Sequence, residues 1–100
     1  MTDYIVIRKG EDTNFSNRTF RIDLSSIKLD MTGWLATFKL ASVIQNFSDF
    51  GQTKYIDIEG FRVPETFKVG IIHGYLQLKD ENNKLMTILE IPFKVEEKLI

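Results

Sequence analysis

The sequence predicts an all-β domain, built as an antiparallel sandwich or small barrel of about six or seven strands. One observation behind this prediction is that apolar and polar residues alternate along several short runs, as they do in half-buried strands. A second is that clusters of turn-forming residues separate these runs roughly every 8–12 residues, which is typical of all-β folds.

Composition sets the outer limits on size and partners. The 100 residues predict a single domain spanning residues 1–100. The 43% of hydrophobic and 27% of charged residues are ordinary for a globular protein. The net charge of −1 lacks the basic surplus that neutralises phosphates, so we expect no nucleic-acid partner. Without cysteine, no disulfide or thiolate metal site can form. Residues 1–7 have an acid where a signal peptide needs a base, so no signal peptide is predicted, and without a run of about 20 apolar residues we expect no membrane association.

Two strands are predicted in the N-terminal part of the chain. Residues 4–8 form a short β-rich run, and a loop follows over residues 9–14. Residues 18–24 alternate cleanly and form the second strand. Its inward-facing residues are Phe20, Ile22 and Leu24. The pair Ser25-Ser26 then breaks the period, and the apolar residues beyond it have the opposite parity, so we expect a bend, a bulge or a change of sheet there.

The next strand is the clearest in the sequence and follows a turn. Asp30, Thr32 and Gly33 are turn formers, because short polar side chains bond their own backbone and glycine adopts positive φ without steric cost. From residue 34 the period is two. The predicted inward-facing residues are Trp34, Ala36, Phe38 and Leu40. The only tryptophan therefore starts this strand on its apolar face.

Residues 41–51 allow two interpretations. Apolar side chains at i, i+3, i+4 and i+7 from Val43 would allow one or two turns of helix. The alternative, which we prefer, is a strand that continues through Val43 and then a loop closed by residues 48–51. Good helix formers are sparse in this stretch, whereas β-branched and aromatic residues are common.

A fourth strand and a loop follow. Residues 54–59 alternate and predict a strand that ends at Gly60. Residues 61–65 cannot form a central strand, because Pro64 has no amide hydrogen to donate to a neighbouring strand.

The C-terminal part is predicted to be a β-hairpin over residues 71–96. Its turn is the acidic and asparagine cluster at residues 80–83, which lies between two alternating runs. One face of the first strand is predicted to carry Ile72, Gly74, Leu76 and Leu78, and one face of the second to carry Leu85, Thr87, Leu89, Ile91, Phe93 and Val95. Pro92 interrupts this second run, so we expect the strand to lie at an edge or to contain a bulge.

Few residues suggest catalysis or metal binding. His73, the sole histidine, has no nucleophile motif nearby, and we interpret it as a packed or surface residue. The carboxylate pairs at residues 11–12 and 80–81 lack the ligand spacing of a calcium loop. We therefore predict no catalytic residue, no metal ligand and no cofactor, and we expect a protein that is not an enzyme.

Aromatic residues are the better candidates for recognition. Phe20, Trp34, Phe38 and Phe93 fall on apolar faces and are predicted to lie in the core. Four others are candidates for a partner-binding patch, because interface hot spots concentrate on such side chains. These are Tyr4, Tyr55, Phe61 and Tyr75.

The order of several segments resembles a family of small phage and prophage tail or baseplate proteins. The segments are RKGEDT (residues 8–13), LDMTGW (29–34), VPETFKVG (63–70), GYLQLKDENNK (74–84) and TILEIPFKV (87–95). Together they span most of the chain and are similar to the N-terminal domain of the phage baseplate upper protein family.

The resemblance implies an immunoglobulin-like β-sandwich and a structural or assembly role in a phage particle. Other phage structural proteins would be its partners, within a homo-oligomer or a symmetric assembly, as an adaptor or as a free-standing virion or accessory protein. Its location would be the host bacterial cytoplasm during assembly and then the virion. Two alternatives stay open, namely a carbohydrate-binding module and a phage-encoded inhibitor of a host protein.

Overall fold

The computed structural model describes residues 4–13 and 20–99, which contain seven β-strands and no helix. The strands are β1 (Ile5–Arg8), β2 (Phe20–Asp23), β3 (Leu35–Leu40), β4 (Val43–Phe47), β5 (Tyr55–Ile58), β6 (Gly70–Lys79) and β7 (Leu85–Glu96). The all-β prediction and the expected number of strands are therefore confirmed. Within these ranges no helix is long and apolar enough to cross a membrane.

The strands form two sheets of unequal size. The larger sheet has five strands in the order β1-β7-β6-β3-β4, and the smaller one pairs β2 with β5. The larger sheet curls into a half-barrel, so the immunoglobulin-like sandwich is not confirmed. The expectation of a purely antiparallel arrangement is wrong, because β1 runs parallel to β7. The first and last strands share no connecting turn, so no short loop forces them to be antiparallel.

The core lies between the two sheets and is built from the inward face of each strand. On β3, Ala36, Phe38 and Leu40 are buried as predicted, and Trp34 beside them is only 8% exposed. The rings of Phe38 and Phe93 pack with centroids 6.1 Å apart. The predicted core position of Phe20 is met in part, because this ring is half-buried and packs against the core.

The turn before β3 forms as predicted. The Asp30 carboxylate Oδ1 accepts hydrogen bonds from the Thr32 backbone N at 3.0 Å and from the Thr32 hydroxyl at 2.7 Å. Gly33 adopts a φ of 81°, which only glycine reaches without strain. The Trp34 backbone N donates to the Met31 carbonyl at 3.1 Å and delivers the chain into β3.

The break after β2 is a change of sheet. The Asp23 carboxylate accepts a hydrogen bond from the Ser25 backbone N at 2.8 Å, and the Ile27 backbone N donates to the Leu24 carbonyl at 3.0 Å. This turn takes the chain from the smaller sheet towards the larger one, which explains the switch of parity at Ser25-Ser26. The predicted start of β2 at residues 18–19 lies outside the described residues.

Residues 41–51 contain a strand, not a helix, but the strand does not continue β3. The chain reverses at Ala41-Ser42, where Ala41 has a φ of 51°, and β4 pairs antiparallel with β3 from Leu40↔Val43 to Ala36↔Phe47. The apolar spacing does not produce a helix, because a helix here would leave the backbone groups on this side of β3 without hydrogen-bond partners. The prediction of one long strand was wrong because Ala41-Ser42 lacks the Asn-Gly or Gly signature of a hairpin turn.

The β6–β7 hairpin is confirmed, with a bulge that alters one face. The Asp80 carboxylate accepts hydrogen bonds from the backbone N of Asn82 at 2.9 Å and of Lys84 at 2.8 Å. Leu76 pairs with Leu89 but Gln77 pairs with Thr87, so Ile88 is an extra residue. The predicted face is right from Leu89 to Val95. It is wrong for Leu85 and Thr87, which the bulge turns outwards while Met86 turns inwards.

Pro92 lies where β7 has a free side. β7 is not an edge strand as a whole, because β1 and β6 flank it. However, β1 pairs only with Phe93–Glu96, so Pro92 comes directly before the first residue that β1 contacts. Within the described residues, Leu85–Pro92 has β6 on one side and no strand on the other, which satisfies the edge prediction for this half of the strand.

Candidate interaction surface

The outward side of β1, β7 and β6 gathers exposed apolar and aromatic side chains. We call it the outer face and define it by Val6, Ile71, His73, Tyr75, Glu90 and Lys94. Its rows follow from the register, in which Val6 and Ile71 both pair with Lys94, and Tyr75 pairs with Glu90. All six residues are exposed. Apolar side chains on β1 and β6 therefore flank the charged side chains of β7, the strand between them.

Two of the four predicted partner-binding residues lie at this face. Tyr75 belongs to it and is 38% exposed, and Tyr4, which is 42% exposed, directly precedes β1 with the same parity as Val6. They come from distant parts of the chain, and the β1–β7–β6 pairing places both on the same side of the larger sheet. Aromatic side chains on an exposed sheet face provide contact area at low cost in conformational entropy.

The other two predicted residues lie elsewhere. Tyr55 is half-buried on the smaller sheet, where the Arg21 guanidinium stacks 3.8 Å from its ring centroid. Phe61 is half-buried against the core, and its backbone N donates to the Thr13 hydroxyl at 2.9 Å. These contacts tie both rings into the domain, so neither extends the outer face.

His73 is a surface residue, which is one of the two positions expected for it. Its Nδ1 lies 3.0 Å from the Glu90 carboxylate, and both side chains are exposed. In the part of the chain that the structure describes, no three His, Asp or Glu side chains converge as metal ligands. One carboxylate of each pair at residues 11–12 and 80–81 is engaged by a protein group, since Asp12 binds Arg62 at 3.2 Å and Asp80 closes the hairpin turn.

Sequence reasoning missed an open apolar groove of about 640 Å³ between the two sheets. Its walls are β2 with the turn that follows, and the half of β7 that has a free side. The apolar lining residues are Phe20, Ile22, Leu24, Ile27, Ile88, Leu89 and Ile91. Alternation alone assigns such residues to a closed core. The parity break at Ser25-Ser26 was the available signal, because a change of sheet separates β2 from the strands that follow.

Two aspartates at turns are held in their charged form. A backbone hydrogen bond from Ser25 is the main cause of a lowered pKa of Asp23, with a further bond from the Ser25 side chain. The pKa of Asp30 is lowered chiefly by the hydrogen bond from the Thr32 hydroxyl and then by the Thr32 backbone N–H. Both carboxylates stabilise turns, and Asp23 also borders the groove.

Comparison with protein-family models, with curated proteins and with solved structures found no match. The outer face and the groove are therefore interpreted from their own chemistry. Both combine exposed apolar area with a small number of charged side chains, which suits the binding of another protein.

Proposed function

We propose that this chain is a non-enzymatic structural or assembly protein of a phage particle, which acts through contacts with other phage structural proteins. The observation that carries the proposal is the outer face, where Val6 on β1 and Ile71 and Tyr75 on β6 are exposed, with Tyr4 directly before β1. Exposed aromatic and aliphatic side chains on a rigid sheet are the usual anchors of protein interfaces.

The order of the sequence segments supports the phage assignment. On this proposal the two sheets correspond to an opened immunoglobulin-like sandwich, in which the smaller sheet has only two strands. The chain would meet its partners in the host bacterial cytoplasm during assembly and remain with them in the virion. A symmetric assembly repeats one such face many times, so weak individual contacts add up.

The test measures incorporation into particles. The tagged chain is expressed in a host that produces the resident phage, particles are purified, and the chain is quantified by mass spectrometry after cross-linking. We expect cross-links to particle proteins, and we expect Tyr75→Ser or Ile71→Ser to reduce incorporation about tenfold. The control is Leu29→Ser, because Leu29 is equally apolar and exposed but lies between β2 and β3, away from the outer face.

A different result would overturn the proposal. If the chain captures one host protein in stoichiometric amount from uninfected lysate, and is absent from particles, it is an inhibitor of that host protein. A carbohydrate-binding module would need tyrosine and tryptophan side chains along an exposed shallow groove. Trp34 is only 8% exposed, so no observation favours that alternative.

A further inference from the structure

Among residues 4–13 and 20–99, the smaller sheet ends in a strand with no strand paired to its outer side. β2 pairs with β5 on one side, and in the described ranges no strand lies on its other side. The open side borders the apolar groove. Exposed strand edges carry backbone donors and acceptors that can pair with another strand.

The hydrogen bonds between β2 and β5 show which residues of β2 have backbone groups on the open side. The Leu24 backbone N donates to the Lys54 carbonyl at 2.7 Å, so Leu24 bonds towards β5. Backbone groups of successive residues in an antiparallel strand point to alternate sides. Ile22, which pairs with Ile56, therefore also bonds towards β5, whereas the backbone N–H and C=O groups of Arg21 and Asp23 point to the open side.

We propose that β2 pairs antiparallel with β2 of a second copy of this chain, about a twofold axis at Ile22. The strand sequence Phe20-Arg21-Ile22-Asp23-Leu24 is complementary to itself in this register. Arg21 then lies opposite Asp23 of the second copy, and each such pair exchanges both N–H···O bonds. Because the axis relates the two strands, every Arg21 meets an Asp23 and every Asp23 meets an Arg21.

The side chains of Arg21 and Asp23 are also placed suitably for this pairing. Arg21 and Asp23 are both exposed on the outward side of the smaller sheet, so their opposite charges become cross-strand neighbours. Arg21 is already held in place by Asp57 at 2.8 and 3.2 Å and by stacking on Tyr55. A guanidinium has five N–H donors, so it can bind a second carboxylate without leaving the first.

The same pairing covers the groove. Ile22 and Leu24 face inwards along its wall, and Ile88 and Ile91 line the opposite side. In the dimer the groove of each copy lies against the groove of the other across the axis. Apolar surface that is open in one copy is then shielded from water in two, which favours association. This dimer does not depend on the phage assignment.

Charge reversal provides the test, measured by analytical ultracentrifugation of the purified chain. We expect the unmodified chain to dimerise, and Asp23→Arg or Arg21→Asp each to weaken the dimer at least about tenfold, because like charges then face each other. Mixing the two variants should restore a dimer with one copy of each, since Arg21 of one then faces Asp23 of the other. Native mass spectrometry identifies this mixed species.

Two control variants change charge in the same way at other exposed sites. Arg62→Asp removes a similar two-bond pair with Asp12, and Asp30→Arg removes a similar turn carboxylate. Both should dimerise like the unmodified chain. The proposal is overturned if the unmodified chain is monomeric at the highest concentration reached, if either reversed variant dimerises normally, or if mixing restores nothing.

Hydrogen exchange on the unmodified chain tests the edge even if a variant fails to fold. Amide exchange at Arg21 and Asp23 should slow as protein concentration rises, because these two N–H groups become bonded in the dimer. Exchange at Ile22, which bonds towards β5, should change much less. Exchange at Arg21 and Asp23 that is independent of concentration would overturn the proposal.

Discussion

The two sheets differ in the length of their strands and in how many strands are paired on both sides. In the larger sheet, β6 and β7 are ten and twelve residues long, and β6, β7 and β3 each have neighbours on both sides. In the smaller sheet, β2 and β5 have four residues each, and within the part of the chain that the structure describes each pairs with one strand. The smaller sheet still contributes buried Ile22, Ile56 and Ile58 to the core.

In the smaller sheet, core packing and backbone pairing therefore come from different parts of the molecule. The larger sheet buries the inward side chains of the smaller sheet. The outer backbone groups of the smaller sheet are instead available to bond with side chains or with another molecule. One such side chain is visible in the structure. The Gln45 amide on β4 donates to the Glu59 carbonyl at 2.8 Å and accepts from the Glu59 backbone N at 3.0 Å. A side chain thus takes the place of a paired strand between β4 and the end of β5.

The largest effect is expected in the larger sheet, at Trp34. Replacing Trp34 by alanine removes a ring that is only 8% exposed, and we expect a loss of about 3–5 kcal/mol in the free energy of unfolding. Thermal and urea unfolding measure this loss. Leu35→Ala, one residue further and 52% exposed, is the control and should change the stability by less than about 0.5 kcal/mol. A negligible loss at Trp34 would make the ring a surface binding residue.

An intermediate effect is expected where the two sheets are joined. Gln45→Ala removes both hydrogen bonds to Glu59, and we expect a loss of about 1–2 kcal/mol. Amide exchange should accelerate in β5 and β2 more than in β6, because the two Gln45 hydrogen bonds anchor the end of β5 and do not involve β6. Asn46→Ala, which removes a hydrogen bond to Thr37 within the larger sheet, is the matched control. If amide exchange accelerated equally in both sheets, Gln45 would not act mainly on the smaller sheet.

How far the sequence predicted the fold depends on the range of the interaction. Alternation found the buried faces of β3 and β6, and turn chemistry found the Asp30 and Asp80 turns, because both signals are local. The β1–β7 pairing joins the two ends of the chain and leaves no local signal. The hairpin at Ala41-Ser42 was missed because this pair lacks the Asn-Gly or Gly signature of a hairpin turn. Pro92 led us to expect an edge or a bulge in this strand, but the position of the bulge at Ile88 was not predicted, because apolar residues of both parities occur between Leu85 and Leu89.

The candidate surfaces were less predictable than the fold for the same reason. Tyr4 and Tyr75 could be named as aromatic candidates, but their common face follows only from the register of β1, β7 and β6. Tyr55 has the same chemistry, and only the structure shows it stacked under Arg21. The self-complementary charges of β2 were present in the sequence, yet they suggest a pairing only because the described residues place no strand on one side of β2.

The smallest effect is expected at the turn carboxylates, as a dependence of stability on pH. Asp23 and Asp30 have folded-state pKa values below their ordinary value of 3.8, because hydrogen bonds from Ser25 and Thr32 favour the charged forms. The stability that they contribute is therefore present above this value and is lost as the pH falls towards the lowered pKa values. Urea unfolding at about pH 7 and about pH 3 should show a smaller pH-dependent loss in Asp23→Asn and in Asp30→Asn than in the unmodified chain. Amide exchange locates each effect, since Asp23 closes the turn after β2 and Asp30 the turn before β3. If Asp23→Asn accelerated amide exchange in the larger sheet and changed nothing near β2, the two sheets would not respond separately.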